Sequence, residues 1–212
     1  GGEIVELTEK AEARSFATVS TEDALTTYPD HLDGEGKVLF MVDSRERDTG
    51  ALVAIDLKNR KRTVLFDDAR SDVLGVQYHP KTHAVQAVTF ERAEPLYKFA
   101  DKQVEADYAV LQKLGEGRIE VESASRDDKR WVVSQSPTDG PTRYYRYDRD
   151  TQKASLLFVD RPALLEKKLA KRRPLLIKSR DGLELVSYLS LPVDSDAGSN
   201  RAPKAPLPLV LK

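Results

Sequence analysis

Two stretches decide the fold: "ALVAIDLKNRKRTVLF", residues 51–66, and "RYYRYDRDTQKASLLF", residues 143–158. Each reads as a hairpin. In the first, a strand ending at Asp56 passes through Lys58-Asn59-Arg60-Lys61 into a second strand that closes on Phe66. In the other, a strand ending at Asp148 passes through Arg149-Asp150-Thr151-Gln152 into one that closes on Phe158. Asp56 and Asp148 stand 92 positions apart, and so do Phe66 and Phe158. Half that spacing is 46, close to the roughly 40–50 residues of one four-stranded propeller blade. A middle unit is therefore expected between the two.

Working outward, residues 24–28, ending at Pro29, and residues 38–42 supply the first two strands of the first unit, with Asp33-Gly34-Glu35-Gly36 as their turn. Residues 73–78, 84–90 and 96–99 supply three strands of the middle unit, whose fourth is less clear because a helix intervenes. Residues 118–122 and 130–134 begin the last unit. The expected fold class is mainly β: a partial β-propeller of about three four-stranded blades, at 24–67, 72–116 and 117–160, with one helical insertion. That insertion spans residues 101–114, where Val104, Tyr108, Leu111 and Leu114 share one face. Asp101 is its expected N-cap and Gly115 its left-handed C′ residue. An isolated helix of this length is marginal in water, so its apolar face docks either on its own blade or on a neighbouring domain.

After Phe158 the texture changes. Residues 161–173 are basic, with Pro162 at a first helical position and Pro174 as a stop. Two strands, 174–179 and 183–192, then flank Arg180-Asp181-Gly182, a tight-hairpin signal. A loop poor in apolar residues, 194–206, leads to the apolar run 207–211, which reads as a buried strand. The expected organisation is a partial propeller over 1–160, a linker over 161–174 and a second domain beginning at 175.

The chain has 212 residues, 34 basic and 35 acidic, for a net charge of -1. No global field argues for nucleic acid or an anionic membrane surface as partner. With no cysteine, disulfides and thiolate metal sites are excluded. Cytoplasm and periplasm both remain open. No apolar stretch approaches the roughly 18 residues of a membrane-spanning helix, and residues 1–5 lack the basic and apolar regions of a signal peptide. Both ends read as boundaries within a longer protein.

Chemistry is hard to find. His79 and His83, four apart in "YHPKTH", would suit a metal on a helix, but Pro80 and the flanking strands make the stretch a turn, and no third ligand is apparent. His31 also reads as a turn residue. No G-x-S-x-G elbow, Walker A motif or G-x-G-x-x-G fingerprint occurs, and no cofactor or metal is expected. Tyr144, Tyr145 and Tyr147, with Arg143 and Arg146, could be a nucleic-acid stacking surface. Their alternation fits a strand covered on both sides, with Tyr145 and Tyr147 facing one way and Tyr144 the other. "SRERDTG", residues 44–50, and "FERAEP", residues 90–95, hold corresponding places in successive units. Their charges are either solvated and mutually paired, or Arg45 and Arg92 hold an acidic or carboxylate-bearing part of a ligand.

At this point the residues resemble a known family. "DSRERDTGALVAIDL", "YHPKTHAVQAVTFE" and "RYYRYDRDTQKASLLF" are similar to propeller blades of the prolyl oligopeptidase (S9) family of serine peptidases, in its acylaminoacyl-peptidase and dipeptidyl-peptidase-like branch. "LLIKSRDGLELVSYLSLP", residues 176–192, resembles the segment where these proteins leave the propeller and start the α/β-hydrolase domain. The resemblance implies the C-terminal part of a propeller followed, over 175–212, by the first strands of that domain, in a bacterial parent. It also implies a His-Gly-Gly-type oxyanion segment and a catalytic triad further on, none of which this sequence contains. Three readings stay open. The chain is part of a serine peptidase, inert alone, whose propeller restricts access and favours short peptides, with the catalytic domain as its partner. Alternatively it is a non-enzymatic propeller module that binds a protein or peptide. Or it is a half-propeller that associates with copies of itself through exposed sheet faces or edges.

Overall fold

The structure, a computed structural model, describes residues 1–7, 10–195 and 202–211. The order of elements is β1 (Gly2–Leu7), β2 (Ala13–Val19), β3 (Tyr28–Leu32), β4 (Val38–Asp43), β5 (Ala51–Asp56), β6 (Arg62–Phe66), β7 (Val73–Tyr78), β8 (Val85–Glu91), β9 (Pro95–Phe99), α1 (Lys102–Leu111), β10 (Arg118–Ala124), β11 (Arg130–Ser136), β12 (Arg143–Asp148), β13 (Lys153–Val159), β14 (Arg172–Lys178) and β15 (Glu184–Ser190). Strands follow one another in space as in sequence. β3–β6 and β10–β13 are four-stranded antiparallel sheets, β7–β9 is three-stranded, and β1–β2 and β14–β15 are ribbons. The mainly β class with blade-like sheets and one helical insertion is the class expected from the sequence. Among the described residues no helix is long and apolar enough to cross a membrane.

The differences from expectation have local causes. Residues 24–28 do not form the first strand; it is β3, beginning at Tyr28. Side chains hold the upstream segment in turns instead: Asp23 N donates to Ser20 Oγ at 3.1 Å and Thr26 N to the Asp23 carbonyl at 3.0 Å. Pro29 therefore lies inside β3. An edge strand tolerates this because one row of its backbone groups is unpaired, and the ladder shifts register between Pro29 and His31. Pro174 likewise lies within a strand, opposite Tyr188 in the β14–β15 ribbon. The ribbon β1–β2 went unpredicted because its charges blur the alternation of Ile4 and Phe16.

The middle unit has three strands, and where a fourth would follow the chain forms α1. Asp101 caps the helix, accepting from Gln103 N at 2.7 Å. Val104, Tyr108 and Leu111 are buried on one stripe, as the spacing required, and Leu114 is half-buried in a 3-10 turn, Gln112–Leu114. Gly115 does not take the left-handed helical conformation; its φ of 151° and ψ of 171° are extended and still suit glycine. At Gly117, φ is 115° and a Cβ would stand 2.1 Å from the Ser136 carbonyl oxygen. Only glycine fits there.

The chain divides into two compact units, the first comprising Gly1–Arg92, Leu96–Glu105 and Arg126–Asp128, the second Ala93–Pro95, Ala106–Ser125 and Lys129–Lys212. In the first unit, β4 and β5 are buried on both faces. Phe40, Val42 and Leu52 pack on Val73, Val88 and Phe90 of the three-stranded sheet. Met41, Ala51, Val53 and Ile55 pack on Ile4 and Phe16 of the β1–β2 ribbon. Full burial of such side chains stabilises by about 1.5–3 kcal/mol each, so the near-continuous apolar runs of β4 and β5 fix their place as a central layer.

In the second unit, Ile119, Trp131, Val133 and Tyr147 are buried, and the Trp131 and Tyr147 rings lie 5.9 Å apart. Tyr144 stacks at 4.6 Å on Phe158, its cross-strand neighbour on β13, which is itself exposed, so β12 is buried at Tyr147 on one face and only partly covered on the other, short of the two-sided cover its alternation implied. Beneath the helix, buried Asp107 accepts from Tyr147 Oη at 2.9 Å and Arg149 Nε at 2.7 Å, while the Arg149 guanidinium lies over Trp131. Burial and the Asp107 carboxylate push the Tyr147 phenol up. The β14–β15 hairpin closes as expected, with Lys178 opposite Glu184 and Gly182 at φ 91°. The apolar run 207–211 forms no strand, and Leu209, Val210 and Leu211 are exposed. A strand needs a sheet to join, and nothing among the described residues pairs with it.

Candidate functional site

In an antiparallel up-and-down sheet, successive connections alternate between the two ends. The β4–β5 connection, the β6–β7 connection and the end of β8 therefore meet at one end of the first unit. Arg45 and Arg92 stand there, in equivalent places of adjacent sheets. Each is seated on a buried aspartate that sequence reasoning did not single out. Arg45 donates Nε and Nη2 to Asp43 at 2.9 and 2.8 Å. Arg92 donates Nε and Nη2 to Asp68 Oδ1 at 3.0 and 2.6 Å. The Asp43 side chain is 0% exposed and that of Asp68 5%, whereas Arg45 and Arg92 are 27% and 39% exposed. The carboxylates are foundations, and the guanidiniums form the surface.

The surrounding groups build a charged ledge. Arg62 Nε lies 3.0 Å from Asp43, and Lys98 Nζ 3.8 Å from Asp68, whose Oδ1 also accepts from Arg70 N at 3.0 Å. Arg47 pairs with Asp67 at 2.7 Å. Backbone contacts tie the connections together: Gly50 N donates to Asp72 Oδ1 at 2.6 Å and Val73 N to the Gly50 carbonyl at 2.9 Å. Burial opposes ionisation of Asp43, but the Arg45 hydrogen bonds and the Arg45 and Arg62 charges outweigh it and hold its carboxyl below the usual range. Asp68 follows the same pattern, with burial overcome by Arg92, the Arg70 amide and Lys98. Both aspartates therefore stay charged at neutral pH. Fixed, partly exposed guanidiniums on ionised bases suit recognition of an acidic group.

The sequence signal for the foundations was present but unspecific: Asp43 ends an apolar strand immediately before Ser44-Arg45, and Asp68 sits in a run of polar residues after Phe66. The other expectations resolve as turns and core. His79 and His83 bound the β7–β8 turn, as their spacing around Pro80 implied, whereas His31, expected in a turn, lies instead within strand β3, opposite Phe40. Tyr147 is core, and Arg143 donates to Gln135 Oε1 at 3.4 Å within the sheet. Among the described residues no cluster of three or more His, Asp or Glu is placed to hold a metal ion.

No protein-family model matches the chain. Dipeptidyl aminopeptidase BIII of Pseudoxanthomonas mexicana is 43% identical to it over 196 residues, which cover 92% of this chain and 28% of that protein. Dipeptidyl peptidase family member 6 of Caenorhabditis elegans is 26% identical over 179 residues, 84% of this chain and 24% of that protein. A solved structure from work on two prolyl endopeptidases matches 76% of this chain and 24% of that chain, with a TM-score of 0.49 and 13% identity. The resemblance to the prolyl oligopeptidase (S9) peptidase family therefore holds along nearly the whole chain. The chain spans about a quarter of the length of the curated relatives it matches.

Proposed function

We propose that this chain works as part of an S9 serine peptidase, with its sheets restricting the passage of peptides to a catalytic α/β-hydrolase domain supplied by other residues of the protein. The carrying observation is the 43% identity to a dipeptidyl aminopeptidase over 92% of the chain. Without a G-x-S-x-G elbow in its sequence, the chain alone is inert in this reading. The β14–β15 ribbon supports a partner domain: Leu176, Val186 and Tyr188 are exposed on one face and Ile177 and Leu185 on the other. A two-stranded ribbon with two bare apolar faces is not self-sufficient in water. Arg45 and Arg92 would hold the carboxylate of a short peptide on the ledge.

The test is to read the coding sequence beyond residue 212. A His-Gly-Gly segment and a G-x-S-x-G elbow are expected; a stop codon in their place overturns the reading. In the longer protein, Arg45→Ala or Arg92→Ala should raise KM for an acidic or short free-carboxylate peptide roughly tenfold, the size of one lost charge-assisted hydrogen bond. Unchanged kinetics would leave both arginines as structural ion pairs. A second reading, association between copies, is favoured by the exposure of Leu156, Leu157 and Phe158 on the edge strand β13. A constant monomer mass in light scattering over a concentration series would exclude it.

A further inference from the structure

The chain has three histidines, and all three lie at one junction of the first unit, at the sheet ends opposite Arg45 and Arg92. His31 comes from β3, and His79 and His83 from the turn between β7 and β8. We propose that this junction is a proton-sensitive latch between the β3–β6 and β7–β9 sheets, closed at neutral pH and loosened by mild acid.

The hydrogen bonds set the protonation states. His79 Nδ1 accepts from the amides of Lys81 at 3.2 Å and Thr82 at 3.1 Å. A ring nitrogen that accepts carries no proton, so an imidazolium at position 79 cannot keep either bond, and the turn loses its internal support. His83 Nδ1 lies 3.1 Å from the Leu32 carbonyl oxygen, which can only accept, so His83 donates from Nδ1 and ties the turn to β3. His31 is held between two rings: it stacks on Tyr78 at 4.3 Å and meets His83 at 4.7 Å. Two imidazoliums at that separation repel, so the cluster does not hold a proton on both rings while the contact stays closed.

The other charged and titratable groups here are Asp30, which accepts from Tyr78 Oη at 2.5 Å, Tyr28, Lys81 of the turn itself, and Asp33, Glu35 and Lys37 of the β3–β4 turn. The ordinary ranges of carboxylates, tyrosines and lysines lie outside pH 5.5–7.5, so a change in that window does not come from them. The junction is tight: a Cβ on Gly34 would stand 3.0 Å from the Thr82 carbonyl oxygen. Small displacements of the turn therefore break the contact.

Amide hydrogen exchange on the 212-residue chain, corrected for intrinsic rates, tests the latch. From pH 7.5 to 5.5, protection of the Lys81 and Thr82 amides should fall at least tenfold, while that of Val133 on β11 stays within twofold. His79→Asn supplies a side-chain oxygen that accepts the same amides without titrating, and should remove most of that fall. His83→Asn suits the positive φ of 58° at that position and should remove the part due to repulsion. Equal protection of Lys81 and Thr82 at the two pH values in the unaltered chain overturns the proposal, whether or not the variants fold. So does a fall that persists in full in a folded His79→Asn variant.

Discussion

At the residue scale, the arginine ledge rests on Asp43 and Asp68, and this has a consequence for acid stability. Both carboxyls have depressed folded pKa values, so their stabilisation is complete above the unfolded aspartate value near about 3.9 and is lost as pH falls through their lower folded values. As far as these two groups are concerned, thermal midpoints should hold down to about pH 5 and fall as pH drops below about 4. Asp43→Asn should flatten part of that drop. At neutral pH it should cost about 1–3 kcal/mol in urea unfolding, because it leaves Arg45 and Arg62 facing a neutral amide. Glu35→Gln, which removes only the exposed pair with Lys37, should cost less than about 0.5 kcal/mol. Equal costs for the two variants would show that Asp43 is not a foundation.

At the scale of elements, most strands were legible in the sequence, whereas the β1–β2 ribbon, the edges of strands and the lack of a strand at 207–211 were not. β4 and β5 announced themselves because they are covered on both faces and carry long apolar runs, and β12 because of its aromatic run around buried Tyr147. β3 did not, because an edge strand tolerates proline and the segment before it is decided by Ser20 and Asp23 side chains. α1 was legible from Val104, Tyr108 and Leu111 together with Asp101. What its periodicity concealed was Asp107, a charged residue 0% exposed, next to that stripe. An acid inside a helix normally marks the solvent face. Here it is buried because Tyr147 and Arg149, some forty residues away, satisfy it. Similarly, Arg45 and Arg92 were visible in the sequence and their buried partners were not: Asp68 pairs with Arg92 across connections, which depends on which loops share an end, and Asp43, two residues from Arg45, gave no sign in the sequence that it would be buried. The helix carries its own test. Leu111→Ala should cost about 2–5 kcal/mol as a cavity in a well-packed stripe. Gly117→Ala should be at least as damaging, since its Cβ would collide with the Ser136 carbonyl, a backbone atom that cannot swing aside. A Gly117→Ala variant with unchanged urea midpoint would refute the close approach of β10 and β11 at that point.

At the scale of the whole molecule, the burial pattern is uneven along the chain in a way that bears on the partner domain proposed above. The sheets β3–β6 and β10–β13 hold fully buried residues such as Leu52, Val53, Trp131 and Tyr147, whereas in β14 and β15 no residue is fully buried and five large apolar side chains are at least 40% exposed. Local opening costs least where few apolar contacts must break, so the ribbon and the segment leading into it are less protected than the sheets β3–β6 and β10–β13 when the chain stands alone. Limited trypsin digestion of the 212-residue chain should therefore cut at Lys167, Lys168 or Arg180 before any site between β3 and β13. The same sites in the longer protein should resist cleavage at least tenfold longer if a catalytic domain covers the ribbon, because cleavage then requires the domains to separate. Equal rates in the two contexts would mean that the apolar faces of β14 and β15 stay bare in the complete protein. The residues favouring a partner domain would then have to be explained by contact with another molecule.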